Sequence, residues 1–524
     1  MKYLFLVVYA TFCFTGIFAQ SNRNNNVLSN QPRFVQDSLD SYIEREMKRW
    51  QVPGLAIAIV KNGKVVVAKG YGVKEYGRSA KVNEYTLFQI ASNSKAFTGT
   101  AVALLNQQKR LLLDEKVIRY MPGFKLYDET TTQWCTVRDL LCHRIGLQTF
   151  QGDFLNWGSN LTRKEIIEHM QLTKPVYPFR YKYGYCNAAF ITAGELVKAV
   201  TDTSWDDYIR YHFFEPLQMK HTNSFYNDLM TDDNACIPHT LVQGKIVKMP
   251  FTNIDNMGAS ACINSCTSDM ANWLLFQLDS GRFNGKQIVP FSVLAETRKS
   301  NMVVNDVNSK VFTSKHFSTY GLGWSSYDYE GRRVWEHSGG ANGFVTKTEF
   351  IPEENLGVLV YTNTDANSLY DALVKQVLEA YLNVPYRNLS EKYFIPTNAN
   401  NQKEWLANDS LKAVVALKNK PNIELAKFTG TYTNAFYGTV EVKLEKGKMT
   451  LHFSHHPNNI GKLEYLNDNR FLCTYSDVTC GIQTLPFKIE NNEVTGITVK
   501  VNDFIDYHAY EFTKVNHPVI PDLH

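Results

Sequence analysis

Ser92 and Lys95, in the stretch FQIASNSKAFTG, form the only S-x-x-K in the chain. Positions i and i+3 of a helix face the same side, so the lysine amine is set within reach of the serine hydroxyl. Serine becomes a useful nucleophile when a base about 2.6 to 3.2 Å away takes its proton. An ordinary lysine, with a pKa of about 10.4, is a cation at neutral pH. To act as that base it must be lowered by about 3 units, on the order of 4 kcal/mol, by burial or by neighbouring positive charge. A Ser/Lys pair at a helix start is also the pattern of a cap and a surface charge, so the assignment needs further residues.

Two groups downstream supply them. GYCNAAF holds a Y-x-N at Tyr185 and Asn187, and WEHSGGANGF holds the only H-x-G, His337 to Gly339. Y-x-N recurs at Tyr361, Tyr381, Tyr386, Tyr432 and Tyr465; Tyr185 is singled out because it follows PFRYKYG and precedes the apolar-faced run AAFITAGELVKAV. A serine, an amine, a phenol and an imidazole brought together would be the parts of a covalent hydrolase.

The elements that must position these groups are readable from periodicity. RFVQDSLDSYIEREMKRW has Phe34, Val35, Leu39, Tyr42, Ile43, Met47 and Trp50 at helical spacing. GLAIAIVKNGKVVVAKGYG is two strands about Asn62-Gly63, the strongest short hairpin signal. SKAFTGTAVALLNQQ is a helix with Phe97, Ala101, Leu104 and Leu105 on one face. The segment from about Asp114 to Ser300 is mostly helical, after which strand patterning returns in YGLGWSSYDYEGRRVWEHSGG, FVTKTEFIP and LGVLVYTN. Strands from both ends must then share one sheet. A last helix near Leu373–Leu382 precedes a polar stretch read as a linker, and from Phe428 only strands are expected, with Val440, Val442, Leu444 and Met449, Leu451, Phe453 alternating about Gly447.

On these blocks, with LLLDEKVIRYMPGF, TVRDLLCHRIGL, FFEPLQMKHT and SDMANWLLFQL, the chain resembles the serine β-lactamase and penicillin-binding-protein superfamily, in its class C β-lactamase-like branch, from about Phe34 to Leu382. The resemblance implies an α/β (α+β) fold, an antiparallel sheet flanked by helices with a helical subdomain. A small all-β barrel or sandwich would follow, similar to an uncharacterised domain appended to such hydrolases. It implies that Ser92 is the acylated nucleophile, with Lys95 and Tyr185 sharing the proton transfer in an order left open. Asn187 would hold Lys95 and the substrate amide, the strand of His337, Ser338, Gly339 and Gly340 would pair with substrate, and the Ser92 and Gly340 N–H groups would form an oxyanion hole. One departure is His337, where β-lactamases of this branch carry lysine; a neutral imidazole is a weaker partner for a substrate carboxylate. Cys186 is read as a structural thiol behind the site.

The division expected is a signal peptide at 1–19, a polar lead at 20–33, the hydrolase unit at 34–385, a linker at 386–424, the β unit at 425–515 and a tail at 516–524. Export to the periplasm or the exterior follows from the lysine and the Tyr3–Phe18 apolar run ahead of Ala19; that run is shorter than a bilayer span of about 18 to 20 residues, and no membrane span is expected after cleavage. Cysteine pairing is permitted in that setting, with Cys473 and Cys480 the best candidates. At 44% hydrophobic and 20% charged the chain folds, and with a net charge of +4 and no Lys/Arg block it is not expected to bind nucleic acid. No Cys/His spacing suits zinc, so neither metal nor cofactor is expected, and His455-His456 is read as a loop. The expected partner is a small molecule or peptide. The activity expected is hydrolysis of a peptide-like amide, of the D-amino-acid peptidase type, or of an ester, ahead of a class C-type β-lactamase and of a penicillin-binding sensor without turnover. Oligomeric state is not indicated.

Overall fold

The computed structural model describes residues 30–306 and 312–515. The apolar run read as a signal peptide, most of the polar lead and the tail lie outside them. Helix α1 (Leu39–Trp50) follows a π turn at Phe34–Ser38 and buries Leu39, Tyr42, Ile43, Met47 and Trp50, the stripe that its spacing marks. Strands β1 (Gly54–Lys61) and β2 (Lys64–Gly72) turn at Asn62 and Gly63, whose φ of 50° and 73° are the left-handed pair a type I′ hairpin requires. The helical half includes α2 (Ser94–Gln107), α3 (Asn187–Thr201) and α4 (Thr267–Leu278).

Six strands then complete one antiparallel sheet: β3 (Met302–Asp306), β4 (Phe317–Tyr320), β5 (Ser325–Tyr329), β6 (Arg332–Ala341), β7 (Phe344–Ile351) and β8 (Leu356–Thr362), in the order β2-β1-β8-β7-β6-β5-β4-β3. The β1–β8 pairing, Leu55 opposite Thr362 through Lys61 opposite Leu356, joins the two ends of the segment. Side chains alternate across the sheet. Leu55, Ile57 and Ile59 pack with α1 and with α5 (Leu369–Tyr381), while Ala56, Ala58 and Val60 face the helical half. The small alanines leave room for α4 against β1.

The stretch read as a linker is largely one long helix, α6 (Leu389–Ala416), with Pro396 inside it. Its start is pinned, since Trp50 Nε1 donates to Ser390 Oγ at 2.8 Å and Ser390 Oγ to the buried Glu46 carboxylate at 2.7 Å. Eight strands follow: β9 (Gly430–Asn434), β10 (Gly438–Glu445), β11 (Lys448–Phe453), β12 (Ile460–Asn467), β13 (Arg470–Tyr475), β14 (Ile482–Glu490), β15 (Glu493–Lys500) and β16 (Ala509–Lys514). They close into an up-and-down barrel, β9 pairing with β16 as well as β10. Val440, Val442, Met449, Leu451 and Phe453 are buried in it. All eight cysteines among the described residues are free and buried. The Cys473–Cys480 pairing is therefore corrected: the Cys473 thiol packs beside Gly461 of the neighbouring strand β12, while the Cys480 sulfur accepts a hydrogen bond from Asn459 at 3.2 Å.

Candidate active site

Ser92 lies in the 3-10 turn Ala91–Asn93 that leads into α2. Ala91 holds φ at 45°, a left-handed conformation that costs an L-residue about 1 kcal/mol or more. The turn is fixed from several sides. Asn93 Nδ2 donates to Ile90 O at 3.1 Å and to Thr346 Oγ1 of β7 at 2.9 Å, and Ser94 Oγ donates to Ala91 O at 2.7 Å. The half-buried Ser92 hydroxyl is thus presented on a rigid support.

The Lys95 amine is fully buried and has three neighbours: Ser92 Oγ at 3.1 Å, Asn187 Oδ1 at 2.6 Å and the Ser260 carbonyl at 2.8 Å. Burial pulls its pKa from the usual lysine range down to about 7, against the pull of Asp153. Asn187, the first residue of α3, is oriented in turn by donating Nδ2 to Asp153 Oδ2 at 2.6 Å. Asp153 is itself buried, and burial together with Asp506 pushes its carboxyl up to about 7. The Tyr185 ring lies over the lysine nitrogen, its centroid 4.5 Å away, and the Ser92 hydroxyl is close enough to favour the ionised phenol. Burial holds the Tyr185 phenol well above its ordinary range, so of the two coupled groups it is the amine that is brought toward neutrality as a base.

His337 is buried on β6 beside these groups. Its Nδ1 donates to the Ser338 carbonyl at 2.7 Å and its Nε2 accepts from the Tyr320 hydroxyl at 2.9 Å, which fixes a neutral tautomer. Burial and the nearby Lys95 lower its pKa to about 3. Burial thus favours the neutral imidazole, a hydrogen-bonding group without a fixed charge.

Strand β6 pairs with β7 along its whole C-terminal half but with β5 only over Arg332–Glu336. His337–Ala341 therefore have one open edge. The two-residue turn Asn342-Gly343 makes Ala341 and Phe344 the closing pair, so alternation turns the Gly340 N–H and C=O outward along that edge. Gly339 is packed tightly on the other side: a Cβ there would lie 2.0 Å from the Ile90 carbonyl.

Ser92, Tyr185, Asn187, His337, Ser338, Gly339 and Gly340 all line one cleft of about 610 Å³, with Lys95 beneath its floor. Much of the remaining lining is aromatic, and part of it comes from the barrel. Phe504 lies against Gly340, and Tyr507 stacks at 5.6 Å on Phe150, whose ring meets Tyr185 edge-on at 5.6 Å. The β unit expected to be separate is instead part of the wall. His456, read as a loop residue, also joins the two parts: it donates to the Trp157 carbonyl at 3.0 Å and accepts from Tyr437 at 2.6 Å. Sequence reasoning missed Asp153, Asp506, Phe504 and Tyr320, since none of them sits in a spaced motif. His143, in TVRDLLCHRIGL, carries no spacing signal of its own; it packs at 4.3 Å against Tyr185 and accepts from the Cys186 N–H at 3.0 Å.

Comparison with known proteins agrees with this architecture. The β-lactamase family model matches residues 39–381, and a domain of unknown function, DUF3471, matches 416–514. Protein flp of Staphylococcus aureus strain MW2 is 28% identical over 340 residues, 63% of this chain and 64% of its own. The chain thus spans somewhat less than two thirds of that relative. An unguisins hydrolase, ungD, from Aspergillus violaceofuscus is 25% identical over 465 residues, covering 79% of this chain and 78% of its own. Among solved structures, an octameric penicillin-binding protein homologue from Pyrococcus abyssi aligns with a TM-score of 0.59 at 22% identity, over 91% of this chain and 99% of the other. SurE aligns with a TM-score of 0.54 at 15% identity, over 95% and 100%, and it has also been solved with D-Leu. With the family match running from α1 to α5 and the Ser92 turn, the Lys95 amine and the open strand edge all inside it, this chain belongs to the β-lactamase family.

Proposed function

We propose that the protein is an exported serine hydrolase that forms an acyl-enzyme on Ser92 and cleaves a peptide-like amide, of the D-amino-acid peptidase type, or an ester. The observation that carries this is the set of partners around the Lys95 nitrogen. A neutral amine has two N–H groups and one lone pair. Asn187 Oδ1 and the Ser260 carbonyl are acceptors only, so they take the two N–H groups and leave the lone pair facing the Ser92 hydroxyl. Burial makes that neutral form accessible near pH 7.

In the reaction, the Ser92 proton passes to Lys95 as Oγ bonds to the substrate carbonyl carbon. The N–H groups of Ser92 and Gly340 hold the oxygen that gains charge. The bond to the leaving amine or alcohol then breaks, and the leaving group takes the proton back. Water, deprotonated by the same group, releases the acid and restores Ser92. Tyr185, which lines the cleft beside Ser92 and lies over Lys95, would relay the proton to the leaving atom.

The open edge of β6 suits an extended backbone, and hydrolysis of peptide-like substrates agrees with the ungD relative. The cleft lining contains no lysine or arginine, and His337 is neutral. This favours substrates without a carboxylate at that edge and places β-lactams after peptides and esters. Export rests on the N-terminal apolar run. The test is fluorophosphonate labelling of the wild type and of Ser92→Ala, followed by turnover of D-alanyl peptides, p-nitrophenyl acetate and a chromogenic cephalosporin. Loss of labelling in the variant and steady turnover of the peptide or the ester are expected. Undiminished labelling of Ser92→Ala would sink the nucleophile assignment, and stoichiometric acylation without turnover would make the protein a sensor.

A further inference from the structure

Asp506 is a fully buried carboxylate in the barrel loop between β15 and β16, yet two of the groups it holds belong to the hydrolase unit. Its Oδ2 accepts from the backbone N–H of Gly152 and of Phe154, each at 3.2 Å, and from the Tyr510 hydroxyl at 2.6 Å. Its Oδ1 accepts from the His508 N–H at 2.9 Å. The two backbone groups bracket Asp153. Gly152, with φ at 94°, also donates to Tyr510 at 3.0 Å and lies under the Phe436 ring. The Phe154 ring is buried among barrel side chains, with centroids 4.9 Å from Tyr437, 5.3 Å from His456 and 5.7 Å from Phe453. Both chain neighbours of Asp153 are thus gripped by the barrel, while its carboxylate reaches Asn187 at 2.6 Å and Asn187 reaches Lys95 at 2.6 Å.

We propose that the barrel is a working part of the active site: Asp506 acts as a positioning residue that, through the Gly152–Phe154 turn, Asp153 and Asn187, sets the place and the charge state of the Lys95 amine. This rests on the Ser92/Lys95 reading above. The partners run without a break from barrel to base, and among the described residues Asp153 is the carboxylate that acts on the Lys95 amine. The titratable groups facing Lys95 are Asp153, Cys186, His143, His337 and Tyr185, and those facing Asp153 add Asp506 and Tyr510. The charge of Asp506 helps keep Asp153 protonated. A protonated Asp153 exerts less pull on the Lys95 proton, which is what a base requires.

The two isosteric variants therefore act in opposite senses. Asp506→Asn lets Asp153 ionise at lower pH, so Lys95 holds its proton to higher pH. Asp153→Asn removes the carboxylate beside Lys95, so the amine is freed at lower pH. The experiment is the rate of fluorophosphonate labelling of the full-length protein from pH 5.5 to 9. The acid limb is expected to move up by about half a unit or more in Asp506→Asn and down by about one unit in Asp153→Asn. Damage that is only structural lowers the rate without moving the two limbs in opposite directions. If both limbs stay in place in folded variants, or move in the same sense, the inference is overturned while the nucleophile assignment stands. If labelling survives Ser92→Ala, both fall. Should Asp506→Asn not fold, Asp153→Asn decides alone, and an unmoved limb there overturns the proposal.

Discussion

The adjacent glycines of β6 differ sharply in what a methyl group would meet, and this makes a quantitative test of how the Ser92 turn is held. In Gly339→Ala the new Cβ would fall 2.0 Å from the Ile90 carbonyl oxygen, 2.5 Å from Thr346 Oγ1 and 2.9 Å from the Ile90 carbonyl carbon. A carbon–oxygen contact needs about 3.3 Å, so strand and turn must separate by about 1 Å. Overpacking of that kind costs about 1 to 3 kcal/mol. The separation also opens the node of Ile90, Asn93 and Thr346 that fixes the turn two residues before the nucleophile. A displacement of about 1 Å at a reacting group costs roughly 10²-fold in rate. In Gly340→Ala the nearest atom is the tip of the Phe504 ring at 3.1 Å, a partly exposed side chain that can swing aside. Thermal unfolding and fluorophosphonate labelling, measured on both variants, separate the two effects. Gly339→Ala is expected to lose stability and about 10²-fold in labelling, and Gly340→Ala to keep its unfolding temperature with a labelling loss of about tenfold or less. A Gly339→Ala protein with wild-type stability and labelling would refute the reasoning.

Three further outcomes follow from the same geometry. Lys95→Arg replaces a group that burial brings near neutrality by one that stays charged and offers no lone pair, so single-turnover acylation should fall by about 10³-fold or more with Ser92 still in place; retained acylation would remove Lys95 as the base. Phe504→Ala trims the barrel's contribution to the cleft wall, so KM for small esters should rise while bulkier acyl groups are tolerated better; identical substrate preference would show that the loop does not touch the substrate. For Asp371, on the far side of the sheet, burial pushes the carboxyl up, but Lys347 and Lys375 outweigh it and bring the pKa to about 2. A carboxyl depressed in the folded state adds stability above its unfolded pKa near 4 and loses it as pH falls toward 2, so Asp371→Asn should cost about 2 kcal/mol at pH 7 and almost nothing near pH 2 by urea titration.

Where a signal is local, the sequence carries it. Asn62-Gly63 and Lys446-Gly447 each announce a hairpin because only left-handed residues close a two-residue turn, and φ is positive at all four. Ser92 and Lys95 are legible because helical spacing alone brings them together. Helix α6 was not, since after Leu389 and Ser390 none of its side chains is fully buried, its polar run has no apolar stripe, and it contains Pro396, so neither period nor propensity points to it. Asp153 and Asp506 illustrate a deeper limit. Asp153 opens a single helical turn and Asp506 sits in a barrel loop, and what joins them is a pair of contacts between residues more than 350 positions apart. The placement of the barrel against the cleft is invisible for the same reason: alternation reports which side chains face inward, not what covers the open end.

The seat of Phe154 within the barrel has a consequence for how the molecule is made. Its partner Asp506 is 352 residues away, a long loop to close, and such contacts form late. A nascent chain that has already emerged as far as the β6 strand holds the nucleophile, the amine and the phenol, but its Phe154 ring has nowhere to go. A polypeptide cut short before β16 would leave that ring without its stacked neighbours and the backbone on either side of Asp153 without its last anchor.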